Sequence, residues 1–451
     1  MQVDIIIIGA GPGGYELAVE AAHKGRSVAV VERSHFGGTC LNEGCIPTKC
    51  LCHSAEVLDE VRAAGALGVE TGEVKFSLTA AMARKDGVVE KLRAGIAALM
   101  QTPGITVVQG EARFKEGDPH TVLVDDTAYT APAVVIATGS VTKYLPIAGA
   151  HGQRVVTSRE MLELTEVPRR LAVIGGGVIG LEFASIYRSF GSEVTVVEYC
   201  KEILPQFDRD IAKRLRTSLK KRGIGFEVGA AVTEVRDEAD GSATVVYSQK
   251  DKVKEVQADL VLMAVGRAAN VDSLNLAAAG IDFTPRGIKV DADMQTSVPG
   301  IYAVGDVNGL CQLAHAATFQ GYKALAHICG EPSAVRLDII PAAVFTTPEC
   351  AMVGQTEEQL EAQGQEYRAL KSFYRANGRA LSMEADDGLV KILATPDGGR
   401  ILGAHILGAH AADMIHELAL AMQAGTAVDG LRQMVHAHPS LSEIILAAAR
   451  S

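Results

Sequence analysis

Apolar positions along the chain fall into one pattern twice. Asp4 precedes four isoleucines that run into Gly9-Ala-Gly11-Pro-Gly-Gly14, and Leu171-Ala-Val-Ile174 runs into Gly175-Gly-Gly177-Val178-Ile179-Gly180. Each short apolar run predicts a buried strand, and G-x-G-x-x-G predicts a tight turn into a helix. An apolar helical stretch follows each, then a second strand ending in an acid: Val28-Ala-Val-Val-Glu32 and Val194-Thr-Val-Val-Glu198. The first glycine and the acid are 23 positions apart in both copies (32 − 9 and 198 − 175). Two β-α-β dinucleotide units are expected. In such a unit the first glycine makes the turn, the second lets backbone approach a pyrophosphate, and the third lets helix pack on strand. The helix N-terminus then faces phosphate. One G-x-G-x-x-G alone is weak evidence; strand, helix and acid at matched spacing, twice, are not.

Beyond the repeat, Ala239-Asp-Gly-Ser242 and Pro396-Asp-Gly-Gly399 lie between β-rich segments and predict hairpins. From Ala411 to Ala424 apolar residues recur at helical spacing, which points to core or subunit packing. At 451 residues, two to four domains are expected. The formal net charge of -11, without a basic stripe, argues against nucleic acid and anionic membrane as partners. Met1 to Ile8 reads as a strand and not as a signal peptide, and no apolar run approaches the ~18 residues of a membrane helix. A cytoplasmic protein is expected. Eight cysteines then suggest reduced, metal-bound or catalytic thiols over a disulfide framework.

Four of those cysteines, Cys40, Cys45, Cys50 and Cys52, lie within thirteen residues on what reads as one helix start. On a regular helix, residues five apart are separated by about 7.5 Å of rise, beyond the ~4.4–6.8 Å between Cα atoms that a disulfide accepts. The segment must be distorted if Cys40 and Cys45 pair. Gly44 permits such irregularity, and Pro47 suits a helix's first turn. A thiol at a helix N-terminus is stabilised as thiolate, the nucleophile in exchange. The rival reading is a metal site, although structural zinc sites favour two tight cysteine pairs across a longer loop. Cys50 and Cys52 read as buried small hydrophobes.

Gly37-Gly-Thr-Cys40-Leu-Asn-Glu-Gly-Cys45-Ile-Pro-Thr-Lys49 resembles the active-site motif of the pyridine-nucleotide disulfide oxidoreductases. Ala137-Thr-Gly139 and Thr296-Ser-Val-Pro-Gly-Ile301-Tyr-Ala-Val-Gly305-Asp306 resemble further fingerprints of that family, so the likeness runs from Gly9 to Glu443. Gln312-Leu-Ala-His315 and His436-Ala-His438-Pro-Ser-Leu-Ser-Glu443 are most similar to its dihydrolipoyl-oxidising branch. The fold implied is α/β, with two Rossmann-like domains and a C-terminal α+β dimerisation domain. The boundaries expected are 1–145 for FAD, 146–268 for NAD, 269–338 for a central domain completing the FAD site, and 339–451 for the interface.

The resemblance implies a redox disulfide between Cys40 and Cys45, with FAD and NAD as cofactors and no metal. His438 is implied as acid/base catalyst and Glu443 as its orienting partner, acting across a homodimer on the other subunit's cysteines. Imidazole exchanges protons near neutral pH, and a carboxylate on its second nitrogen fixes the tautomer. Taken alone, Ser440-Leu-Ser-Glu443 is also a helix capping box. Lys49 and Glu182 match a family ion pair near the flavin. FAD contacts are implied for Gly9, Gly11, Gly14, Glu32, Thr39, Cys40, Lys49, Ala112, Thr138, Gly139, Asp306, Leu313, Ala314 and His315. NAD contacts are implied for Gly175, Gly177, Val178, Ile179, Gly180, Glu182, Glu198 and Gly266. Glu198 accepts hydrogen bonds from an unmodified ribose and repels a 2′-phosphate, which favours NAD over NADP.

The activity implied is oxidation of protein-bound dihydrolipoyl groups with reduction of NAD+. The carrier would be a lipoyl-bearing acyltransferase or carrier protein of a 2-oxo acid dehydrogenase or glycine cleavage system. Glutathione reductase-like activity is disfavoured by Glu198. Mercuric reductase-like activity is disfavoured because no cysteine follows Cys350. A non-catalytic flavoprotein scaffold is a further alternative. Two features depart from the family pattern: Val265-Gly-Arg267 runs into Ala-Ala-Asn270 without the common proline, and only eight residues follow Glu443.

Overall fold

The computed structural model describes residues 1–451 as two compact units, each woven from three stretches of chain. The first comprises Met1–Cys50, Met82–Lys143 and Gly266–Leu337; the second comprises Leu51–Ala81, Tyr144–Val265 and Asp338–Ser451.

The first unit is built on a five-stranded sheet in the order Ile301–Ala303, Ala133–Ile136, Ile5–Ile8, Val28–Glu32, Ile105–Gln109, with every pairing parallel. Its central strands are apolar on both faces because both faces are covered, as expected for a parallel sheet. Ile5, Ile7, Val28, Val30 and Val135 pack with Leu17 and Ala21 of helix Pro12–His23 on one side. Ile6, Ile8, Ala29, Val134 and Ile136 pack with Phe114 and Val122 of a three-stranded antiparallel sheet on the other. The register Ile8↔Val31 brings Gly9 and Glu32 to the same end of adjacent strands.

The second unit repeats the plan. Its parallel sheet runs Gly225–Val228, Glu193–Glu198, Arg170–Ile174, Leu260–Met263, Val155–Val156, and helix Val178–Phe190 follows the glycine loop. The hairpin expected at Ala239–Ser242 joins strands Ala231–Asp237 and Ala243–Gln249. The one expected at Pro396–Gly399 joins Leu389–Ala394 to Ile401–Leu407, inside a five-stranded antiparallel C-terminal sheet. The expected amphipathic helix spans Ala411–Gln423 and buries Ala411, Met414, Ile415, Leu418 and Ala421, one apolar stripe, against that sheet. No helix is long and apolar enough to cross a membrane.

Candidate active site

The cysteine segment does not form one helix start. Helix Gly38–Asn42 carries Cys40 and ends at Glu43, whose φ of -140° breaks the helix; a new helix, Cys45–Ala63, begins two residues later. Gly44 sits at the break, where a Cβ would lie 2.9 Å from the Thr39 carbonyl oxygen. The break supplies the distortion that the five-residue spacing demands. Cys40 and Cys45 stand as thiols hydrogen-bonded to each other, and the Cys45 backbone N–H also bonds to the Cys40 sulfur. The Cys40 thiol is pushed up by its bond to Cys45 and by burial, with Lys49 pulling the other way. Cys45 is exposed and Cys40 half-buried. Cys50, buried, and Cys52, whose thiol donates to the Phe345 carbonyl at 3.4 Å, lie deeper in the longer helix.

Both strand-end acids are buried and held by backbone. In the first unit Glu32 accepts the Ala10 N–H on Oε2 and the Ser34 N–H on Oε1, each at 2.8 Å. In the second, Glu198 accepts the Gly176 N–H on Oε2 at 2.5 Å and the Cys200 N–H on Oε1 at 2.6 Å. Each carboxylate thereby fastens its glycine loop and keeps further lone pairs that can accept a hydrogen bond. The glycines differ in the room around them. Cβ atoms on Gly14 and Gly180 would fall 1.9 and 2.1 Å from the carbonyl oxygens of Gly9 and Gly175, so these positions are closed by packing. Gly177 has no atom within 4 Å of such a Cβ and Gly11 none nearer than 3.8 Å, which leaves room for a pyrophosphate.

Helices Pro12–His23, Val178–Phe190 and Ala314–Cys329 all start without a side-chain cap, at Gly11, Gly177 and Leu313. The uncapped first turns of such helices suit anions. Val178 and Ile179 open the second of these helices, and Ala314 and His315 the third. Thr39 and Lys49 lie on the two cysteine-bearing helices, and Ala112 is buried at the edge of the antiparallel sheet. Glu182 is buried and accepts the Phe345 N–H at 3.0 Å. Gly139 and Gly266 both take positive φ, 69° and 107°.

Three residues that the sequence reading did not single out cluster at and beside Asp306. Ser140 Oγ donates to Asp306 Oδ2 at 2.5 Å, and the Arg267 guanidinium donates to Ser140 Oγ and to its carbonyl, each at 2.7 Å. Burial pulls the Arg267 guanidinium down, opposed by the charges of Asp306, Glu43 and Cys45. Gln320 Oε1 accepts the Gly305 N–H and the Asn308 amide, both at 2.8 Å. Thr138 Oγ1 donates to the Asn270 carbonyl at 2.8 Å. Arg267 stood in a quoted motif; Ser140 and Gln320 carried no spacing signal.

In the second unit, His438 is exposed and its Nδ1 lies 3.0 Å from Glu443 Oε1, while Glu443 Oε2 accepts the Ser440 N–H at 2.8 Å. Ser440 Oγ has no partner, so only half of the capping box forms. The same carboxylate both steadies the turn and holds the imidazole.

The chain belongs to the pyridine nucleotide-disulphide oxidoreductases, whose family model matches residues 3–321, with the family's dimerisation domain matching residues 340–449. That makes it an FAD- and NAD-dependent flavoprotein oxidoreductase that assembles as a homodimer. It is 40% identical to the dihydrolipoyl dehydrogenase of Bacillus subtilis over 100% of this chain and 96% of that protein. It is 39% identical to the mitochondrial dihydrolipoyl dehydrogenase of Pisum sativum over 99% of this chain and 90% of the relative. Among solved structures, LpdA from Mycobacterium tuberculosis matches with a TM-score of 0.90 at 32% identity, covering 99% of both chains. The flavoprotein disulfide reductase RclA from Escherichia coli, as its Cu(II) complex, matches with a TM-score of 0.88 at 31% identity, covering 100% and 99%.

Proposed function

We propose that the protein oxidises protein-bound dihydrolipoyl groups to lipoyl and reduces NAD+, through a redox-active Cys40–Cys45 pair. The observation that carries this reading is the Cys40–Cys45 thiol contact across a helix break, in a chain that also holds the imidazole of His438 on a carboxylate.

With Nδ1 engaged by Glu443, His438 presents Nε2, which takes the proton of one substrate thiol. His438 of one protomer serves the cysteine pair of the other. The thiolate attacks Cys40 Sγ of the oxidised pair, forming a mixed disulfide and releasing Cys45 as thiolate. The second substrate thiol then attacks the substrate sulfur of that mixed disulfide, closing the lipoyl ring and freeing Cys40. Two electrons and two protons leave the substrate, and the pair becomes a dithiol. Bound FAD supplies a two-electron relay from that dithiol to NAD+. Gly11, Leu313, Asp306 and Glu32 would hold the flavin nucleotide, while Gly177, Val178 and Glu198 would hold NAD+. Lys49 offsets negative charge at the cysteines, and Glu182 supports the nicotinamide side.

The partner is a lipoyl-bearing acyltransferase or carrier protein, and the compartment the cytoplasm, where thiols stay reduced. The test is NADH formation by the flavin-loaded dimer from dihydrolipoamide and NAD+, with NADP+ in parallel. Turnover with NAD+ alone is expected. No turnover with NAD+, in a protein whose flavin NADH still reduces, would move the substrate to another disulfide.

A further inference from the structure

In the second unit one loop runs from the strand-end acid to a buried carboxylate that the dimerisation domain holds. Strand Glu193–Glu198 ends at the acid, and ten residues on (208 − 198) Asp208 caps helix Arg209–Lys221, its side chain accepting the Asp210 N–H at 3.0 Å. Asp208 and Lys391 are both wholly buried. The Lys391 ammonium donates to both oxygens of Asp208, at 2.8 and 2.7 Å, and to Glu357. Lys391 is fixed in turn, since it lies in strand Leu389–Ala394, opposite Lys371 on one side and His405 on the other.

Between its two ends the loop lies on the glycine loop. The Leu204 N–H donates to the Gly176 carbonyl at 2.9 Å, and the Gly176 N–H donates to Glu198 Oε2 at 2.5 Å. Leu204 is buried and stands at φ 46°, a left-handed conformation that a leucine keeps only where its surroundings impose it. Two contacts hold it from the helix side. The Phe207 N–H closes onto the Leu204 carbonyl at 2.9 Å, and Arg216 of the capped helix grips both oxygens of Glu202, at 2.6 and 2.9 Å. The loop is thus held by the helix, the helix start by Asp208, and Asp208 by Lys391; all of them belong to the second unit.

We propose that Lys391 is a positioning residue for NAD+: by fixing Asp208 it sets the start of helix Arg209–Lys221 and keeps the loop down on Gly176, so that the glycine loop and Glu198 meet the dinucleotide already in place. This rests on the reading of the second unit as the NAD site. A hydrogen-bonded ion pair in a wholly buried setting is a strict positional constraint, because a shift of either partner strands a buried charge. The loop then does not have to be ordered when the cofactor arrives. Lys391 and Glu357 lie within the dimerisation domain, residues 340–449, so the same bonds tie that domain to the affinity for NAD+.

The test is isothermal titration of NAD+ into the oxidised, flavin-loaded dimer, with urea unfolding in parallel, for the wild type, the double variant Lys391→Met with Asp208→Leu, and Arg216→Met. The apolar pair fills the space without directional bonds. It should regain most of the stability that Lys391→Met alone loses, yet bind NAD+ on the order of fivefold more weakly. Its KM for NAD+ should rise to match, with kcat at saturating NAD+ within about twofold of the wild type. Arg216→Met frees the loop and leaves the buried cluster intact, so it should weaken NAD+ binding to a similar extent with little change in the urea midpoint. Both variants should keep their flavin. Wild-type NAD+ affinity in either variant overturns the inference. A wild-type protein that binds no NAD+ overturns the reading of the unit itself, and the inference with it.

Discussion

His438 Nδ1 lies 3.0 Å from Glu443 Oε1, and the other oxygen of that carboxylate takes the Ser440 N–H at 2.8 Å, so one side chain ties a turn and holds an imidazole. Replacing His438 with Gln removes the proton acceptor and should lower kcat with dihydrolipoamide about 10²–10⁴-fold. Replacing Glu443 with Gln leaves the imidazole in place but releases its tautomer, for a loss on the order of 10–10²-fold.

The pH dependence follows from the same carboxylate. The Ser440 N–H first, and then the His438 hydrogen bond, hold the Glu443 carboxyl below the usual carboxylate range. A lowered value means that the ionised link survives as pH falls through that range and is lost only beneath it. The advantage in kcat/KM of the wild type over Glu443→Gln should therefore persist as pH falls through the usual carboxylate range. An advantage that collapses within that range would contradict this.

The glycines of the second unit separate stability from binding. A Cβ on Gly180 would meet the Gly175 carbonyl oxygen at 2.1 Å, so Gly180→Ala should destabilise the unit by roughly 1–3 kcal/mol. Gly177 has nothing within 4 Å, so Gly177→Ala should melt like the wild type yet bind NAD+ at least about tenfold more weakly. Melting curves beside NAD+ titrations check the pair.

Much of this was readable from the chain. Both β-α-β units appeared from spacing because each glycine and each acid has a local job, and strand Val28–Glu32 ends where its pattern ends. The helix break between Cys40 and Cys45 was deducible only as a condition, since Glu43 has no intrinsic helix-breaking chemistry. Ser140 and Arg267 were missed because they act on residues far along the chain: Ser140 meets Asp306 across 166 positions and Arg267 meets Ser140 across 127; Gln320 bonds Gly305 and Asn308 nearby, but in no periodic pattern. Glu443 looked like a choice between cap and orienting partner of His438, and its carboxylate bonds both the Ser440 N–H and the imidazole.

A buried ion cluster escaped the sequence for the same reason. Lys391, wholly buried, donates to both oxygens of wholly buried Asp208, at 2.8 and 2.7 Å, and to Glu357. Burial alone would raise the Asp208 carboxyl, yet the charges facing it, with the Lys391 hydrogen bond, hold it below its usual value. Lys391→Met should cost about 3–5 kcal/mol in urea unfolding, because it strands a buried carboxylate, and adding Asp208→Leu should restore most of the loss. A single variant as stable as the wild type would contradict this.

The central claim is that electrons pass through the Cys40–Cys45 pair, and steady-state NADH formation by Cys45→Ser tests it most directly. The variant should purify with flavin bound, bind NAD+ normally, and show no turnover of dihydrolipoamide above background. Wild-type turnover in that variant would contradict the account.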